Sequence, residues 1–272
     1  HFFISSTHEN ILFFTNQGRV YRLKGYEIPE AGRQARGTAI VNLIPVQPDE
    51  RVNAVIPIQE FTPDSFLLMG TKSGVIKKTP LDEFQTIRKG GLIAISLDEG
   101  DELIEVKLTD GNAQVIMVTR MGQAIRFPET DVRTVGRGAR GVKGITLDED
   151  DQVVGMDIAR EGADLLAITE AGIGKRTPLD DYRIQSRGGK GIKTMKLTKR
   201  HGLIAGIKVV ADTDELMVIT AEGIIIRTSV KDISQTGRDT QGVKIMKLDK
   251  NDRVVTLARV AAGKDDEEVG EE

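Results

Sequence analysis

The residues of this chain best suited to chemistry are cations set among glycines. Residues 183–196, RIQSRGGKGIKTMK, carry Arg183, Arg187, Lys190, Lys193 and Lys196 and no acid. Residues 132–144, VRTVGRGARGVKG, carry Arg133, Arg137, Arg140 and Lys143, again without an acid. Sparser versions are Arg33 and Arg36 in GRQARG, Arg88 and Lys89 in IRKGG, and Arg238 in GRDTQG. Glycine lets the backbone approach a ligand, so bare N–H groups and basic side chains together donate to a row of phosphate oxygens. A solvated loop accounts for any one of these segments. Five in register, two of them free of acids, point to a phosphate-binding track.

Other chemistries lack their residues. There is no cysteine, which excludes disulfides and thiolate metal sites and is compatible with a reducing cytoplasm. His1, His8 and His201 have no metal-ligand spacing. No Ser-His-Asp order with plausible context and no paired carboxylates on a helix face are present. Tyr182 reads as core, not as a nucleophile. GRGARG (136–141) fits G-x-G-x-x-G, but that pattern has meaning only between a strand and a helix. GGKGIKT (188–194) resembles a phosphate loop but places Ile192 where glycine must precede Lys193. Aromatics are 4% and tryptophan is absent, which argues against stacking platforms for single strands.

The elements that must position these loops recur. Thr-x-x-Gly follows an apolar run five times, with threonines 15, 71, 119, 169 and 220 and glycines 18, 74, 122, 172 and 223. The glycines lie 56, 48, 50 and 51 residues apart. Four residues after each stands a cation (Arg22, Lys78, Arg126, Arg176, Arg227), and these join the loop residues as candidate DNA contacts. Ten after stands an apolar residue: Ile28, Phe84, Val132, Tyr182, Ile233. A further glycine comes at +19 in four repeats and at +17 in the second. Runs such as ILFF, FLLM and VIMV resume after the turn as GRVYRL, GVIKKT and GQAIRF, which reads as β-hairpins. AIVNLIPV, LIAISL, VKGITL, IKTMKL and VKIMKL open a second expected strand pair, and only PLDEF and PLDDY could form a helical turn.

About four short strands per 50-residue unit indicate an all-β fold, and the period favours a propeller-like ring of four-stranded blades over stacked sandwiches or an open solenoid. The repeats span about 1–58, 59–108, 109–158, 159–209 and 210–260, within a domain of residues 1–263. Residues 264–272 form an acidic tail, expected to be disordered and to compete with DNA for the basic loops. The tail holds one lysine and six acids; the remaining 37 basic and 35 acidic residues turn a total of −3 into a body of +2. No apolar run reaches the roughly 18 residues a membrane helix needs. A ring would set the loops around one perimeter, and duplex DNA following them must bend, at an elastic cost of about a few kcal/mol offset by phosphate contacts. No helix suits a major groove, so sequence-specific reading is not expected. A propeller that binds a protein partner is the alternative.

QSRGGKG at 185–191 resembles the gyrase-A box, Q-R-R-G-G-[KR]-G, with Ser186 in place of arginine. FFTNQGRVYRLKGYEIPEAGRQARG, IVNLIPV, DELI, GKRTP and GRDTQGVK extend the likeness over residues 1–260. The chain thus resembles the C-terminal DNA-wrapping domain of bacterial DNA gyrase A, more than the equivalent domain of topoisomerase IV. The resemblance implies a six-bladed β-pinwheel with strands exchanged between neighbours, and duplex DNA wrapped on the perimeter to support negative supercoiling. It implies Gln185, Arg187, Gly188, Gly189, Lys190 and Gly191 as box contacts. It further implies partnership with the rest of gyrase A and with gyrase B in an A2B2 assembly in the bacterial cytoplasm. ATP, Mg²⁺ and the strand-cleaving tyrosine would serve elsewhere in the parent enzyme, with no cofactor and no catalysis here. The family's box belongs to its first blade, whereas this one lies in the fourth repeat, so a further blade with its own box is expected before His1.

Overall fold

Each apolar run followed by Thr-x-x-Gly folds as a hairpin. The glycine amide donates to the threonine carbonyl, as from Gly18 to Thr15 at 3.0 Å. The threonine Oγ1 accepts the amide four residues on, from Val75 to Thr71 and from Gln123 to Thr119 at 3.1 Å. The five glycines have φ between +75° and +91°, a left-handed conformation that costs a side-chain-bearing residue about 1 kcal/mol or more.

The computed structural model describes residues 3–32 and 34–261. Repeat one supplies β1 (Asn10–Thr15), β2 (Arg19–Lys24) and β3 (Val52–Ile58). Repeat two supplies β4 (Phe66–Thr71), β5 (Val75–Pro80), β6 (Leu92–Ile93) and β7 (Leu103–Thr109). Repeat three supplies β8 (Gln114–Thr119), β9 (Gln123–Pro128), β10 (Val142–Lys143) and β11 (Val153–Ala159). Repeat four supplies β12 (Asp164–Thr169), β13 (Ile173–Pro178), β14 (Ile192–Lys193) and β15 (Ile204–Val210). Repeat five supplies β16 (Glu215–Thr220), β17 (Ile225–Ser229), β18 (Val243–Lys244) and β19 (Val254–Val260).

The sheets do not follow the repeats. The long last strand of each repeat returns antiparallel to the first, but the fourth strand of each of the first four blades comes from the next repeat. β6 pairs with β2, β10 with β5, β14 with β9 and β18 with β13. Four blades therefore have four strands, and the fifth, β17–β16–β19, has three among the described residues. The long strands β3, β7, β11, β15 and β19 stand side by side in that order as the inner wall of a β-propeller.

Exchange corrects the expected second strand pair. In repeats two to five the segments after the loop glycine contribute only two paired residues each, and these join the preceding blade. AIVNLIPV forms a 3-10 turn at Ile40–Asn42 instead of a strand. The PLDEF and PLDDY segments form 3-10 turns at Leu81–Phe84 and Leu179–Asp181, and the equivalent places in the other repeats do likewise at Gly25–Glu27, Glu129–Asp131 and Val230–Asp232.

Because one blade cannot cover both faces of its own sheet, the core lies between blades. Leu68 and Ile76 of repeat two pack with Val115, Met117, Ile125 and Phe127 of repeat three. Leu166 and Ile168 of repeat four pack with Leu216, Val218 and Val230 of repeat five. The +10 residues Phe84, Val132, Tyr182 and Ile233 are all buried in these layers. The acidic tail at 264–272 and Arg33 lie outside the described residues.

Candidate nucleic-acid interface

The glycine-rich loops of repeats three, four and five are each fixed at three points on the preceding blade. At its start, a backbone amide bonds a strand carbonyl: Val135 to Lys78, Gln185 to Arg126, and Thr236 to Arg176, each at 2.9 Å. At its tip, the Thr146 amide donates to the Gly189 carbonyl and the Lys196 amide to that of Thr240, both at 2.9 Å. At its end, the glycine column enters the neighbouring sheet. A Cβ on Gly191 would lie 2.3 Å from the Ala124 carbonyl oxygen, and one on Gly141 2.2 Å from that of Ile76. Only glycine lets the exchanged strand approach so closely. The loops are thus held rigidly while their side chains remain available.

Arg133, Arg140, Lys143, Arg183, Lys190 and Lys193 are exposed, as are Arg36, Arg88 and Lys89. The structure therefore brings these sequence-selected cations to the surface of adjoining loops on successive blades. Arg137, Arg187 and Arg238 are half-buried. Arg187 donates from Nε to the Asp131 carbonyl and from Nη1 to that of Lys143, both at 3.0 Å. Arg238 repeats this with the Lys193 carbonyl at 3.0 Å. These two arginines dock the loop and keep further N–H groups for a ligand. Gly188 and Gly189 sit half-buried at the tip, where Gly188 donates to the Gly144 carbonyl at 2.7 Å. Gln185 is half-buried beside Arg183, whose Nε reaches its Oε1 at 3.4 Å.

Three exposed loop cations already have an acid: Lys193 lies 3.7 Å from Asp239 of the fifth loop, and two others pair with the preceding blade. Arg140 pairs with Asp98 at 2.6 Å and Lys190 with Asp148 at 2.8 Å, in each case a turn of the preceding blade. The hydrogen bond to Asp148 raises the Lys190 ammonium above its ordinary pKa. Such exposed pairs are weak, and a phosphate can displace them.

The strand cations four residues after the hairpin glycine require correction. Lys78 and Arg176 are buried. Each cation of the first four repeats reaches a carbonyl in or beside the next repeat's 3-10 turn. The donors are Arg22 to Gln85 at 2.9 Å, Lys78 to Glu129 at 3.2 Å, Arg126 to Leu179 at 2.8 Å and Arg176 to Ile233 at 2.8 Å. Arg176 also pairs with buried Asp164 at 2.9 Å. Arg227 is exposed and bonds Glu215. Alternation along a strand reads as a solvent-facing cation, but the next blade covers that face. Arg22, Lys78, Arg126 and Arg176 thus tie neighbouring blades together.

Two buried lysines escaped sequence reasoning. Lys77 Nζ donates to the carbonyls of Ala94 and Arg137, and Lys175 Nζ to those of Gly237 and Arg238 and to Thr240 Oγ1. Each holds the next repeat's loop from beneath. The column gave no signal because it holds Tyr21, Ile125 and Ile226 in the other repeats. Burial pushes both ammonium groups down to about 8 from 10.5. Between those values the folded chain binds fewer protons than the unfolded chain, so these lysines make stability rise with pH across that window. Urea unfolding of Lys77→Met/Lys175→Met is expected to lose that rise between pH 8 and about 10 while the parent chain keeps it.

A cavity of about 560 Å³ between the inner strands is lined by charges of both signs, Glu105 and Asp157 beside Lys107, Lys208 and Arg259. Lys107 pairs with Asp157 at 3.5 Å within this wall, and Arg259 with Asp214 at 3.5 Å outside it. Tyr182 bonds Thr194 in the core, and burial pushes its hydroxyl up to about 12.

Comparisons with known proteins converge on one family. A profile described as DNA gyrase C-terminal domain, beta-propeller, matches residues 9–59, 65–110, 113–160, 163–211 and 214–261. The chain is 63% identical over 260 residues to the DNA gyrase A protein of Halalkalibacterium halodurans, covering 96% of this chain and 31% of that protein. It is 53% identical over 266 residues to the DNA gyrase A protein of Clostridium acetobutylicum, covering 98% and 32%. The chain thus spans about a third of the length of these relatives. A crystal structure of the C-terminal domain of DNA topoisomerase IV superposes with a TM-score of 0.86 at 30% identity, covering 94% of this chain and 80% of that one. A DNA gyrase A C-terminal domain superposes with a TM-score of 0.81 at 28% identity, covering 93% and 83%. Repeat pattern, exchanged strands and five matched segments agree: the chain belongs to the DNA gyrase C-terminal domain family of β-propellers.

Proposed function

We propose that this domain binds duplex DNA without sequence preference and wraps it along the loop perimeter, in support of negative supercoiling by an ATP-dependent gyrase. One observation carries the reading. Exposed cations recur on loops whose backbones are pinned to successive blades, so a duplex meeting one loop is presented to the next. About six such phosphate contacts give a log–log salt slope near −5 and offset the cost of bending. The domain works with the remainder of gyrase A and with gyrase B as A2B2 in the bacterial cytoplasm. Cleavage, ATP and Mg²⁺ belong to those other parts, and this chain contributes no catalytic group or cofactor.

Sealing nicked plasmid with ligase over a titration of the domain tests this reading. After protein removal, a progressive shift in linking number is expected, its sign giving the hand of the wrap. Salt-sensitive binding without a shift would mean DNA is held but not wrapped. Absence of both would overturn the reading in favour of a protein-binding propeller.

A further inference from the structure

One chain turn, repeated five times, carries a charge reversal in a single blade. Between the exchanged segment and the inner strand, each repeat closes a four-residue turn by a backbone hydrogen bond. The amide of Glu50 donates to Gln47, Asp101 to Asp98, Asp151 to Asp148, His201 to Thr198 and Asp252 to Asp249, at 3.0 to 3.2 Å. Equivalent positions in a ring share one face, so these turns line the same side of the loop perimeter. In repeat two the turn reads Asp98-Glu99-Gly100-Asp101, and in repeat three Asp148-Glu149-Asp150-Asp151. In repeat four it reads Thr198-Lys199-Arg200-His201, with no acid and with Lys199 and Arg200 exposed.

These turns stand against the loops. Asp98 and Asp148 touch Arg140 and Lys190 of the next repeat's loop. Lys196, just ahead of the reversed turn, donates its amide to Thr240 of the fifth loop at 2.9 Å, as Thr146 does to Gly189 one blade earlier. The partner position follows the turn's charge. Where the turn offers an aspartate the loop has Arg140 or Lys190; where it offers Thr198 the loop has neutral Gln241. Lys199 and Arg200 are therefore not engaged by an acid at the matching loop position.

A phosphate row beside the second and third blades' turns meets a wall of carboxylates, which repels it and confines the duplex to the loops. Beside the fourth blade it meets two cations. We infer that Lys199 and Arg200 form an additional phosphate-contact site at which wrapped duplex crosses from the perimeter over this face, between the fourth and fifth blades. This inference rests on the DNA-wrapping reading.

The test compares the full chain with Lys199→Glu/Arg200→Glu on a linear duplex of about 150 base pairs, roughly one persistence length. Hydroxyl-radical footprints and the salt slope of binding are the readouts. The variant is expected to lose protection at one end of the footprint only, and to lower the slope by about 2, one for each lost contact. Its thermal unfolding should match the parent's, because both side chains are exposed on a turn. An unchanged footprint and slope would overturn the inference while leaving wrapping intact. Uniform loss of protection along the whole tract would also overturn it, since general charge repulsion would then be the cause. A parent chain that protects no duplex would remove the wrapping reading and this inference together.

Discussion

Replacement of Arg183, Lys190 and Lys193 by alanine is expected to weaken duplex binding by about a hundredfold at about 0.1 M salt, and to reduce the log–log salt slope by about 3. The three side chains are exposed on one pinned loop, and each neutralises a phosphate and releases its condensed counterion. Lys190 must first leave Asp148 and Lys193 must leave Asp239, which moderates their shares. Measurement of binding across a salt series separates contact loss from unfolding, since a partly unfolded chain would show lower active protein at an unchanged slope. A loss in affinity with no change in slope would mean that these cations do not meet phosphate. Arg187→Ala should behave differently, because two of its N–H groups already hold backbone carbonyls. Part of its effect would come from loosening the loop.

Arg176→Ala is expected to destabilise the fold by about 3–5 kcal/mol. The change strands the Asp164 carboxylate in the core, where Gln235 at 3.0 Å remains as its hydrogen-bond donor. It also leaves the Ile233 carbonyl without its bond. Urea unfolding reads the loss directly, and the salt slope of DNA binding at low temperature should stay unchanged. A variant of normal stability but shallower slope would return Arg176 to the DNA-facing set.

The sequence made the repeat legible because its marks are local. Threonine and hairpin glycine answer to contacts within one hairpin, and the apolar +10 residue recurs because each blade buries it against its neighbour. The exposed loop cations were legible for the same reason: glycine-rich segments without acids have little else to do. What sequence could not show depends on the neighbouring blade. The +4 cations look outward along their own strands and are covered only once the next repeat arrives. Lys77 and Lys175 look like alternation errors until the loops above them are in place. The exchanged strands were implied by family resemblance, but apolar runs such as LIAISL gave no hint that only Leu92 and Ile93 would pair, or with which sheet.

Exchange has a mechanical consequence. A duplex bent along the proposed track would straighten elastically and pull outward on the loops that hold it. In repeats two to five each loop leads within a few residues into a strand hydrogen-bonded into the neighbouring sheet, so the pull is shared by two blades instead of prying one hairpin open. The same clasp couples the unfolding of neighbours: a blade that opens withdraws the edge strand of the one before it. The domain should therefore yield to load collectively, as a clasped belt does, and not link by link.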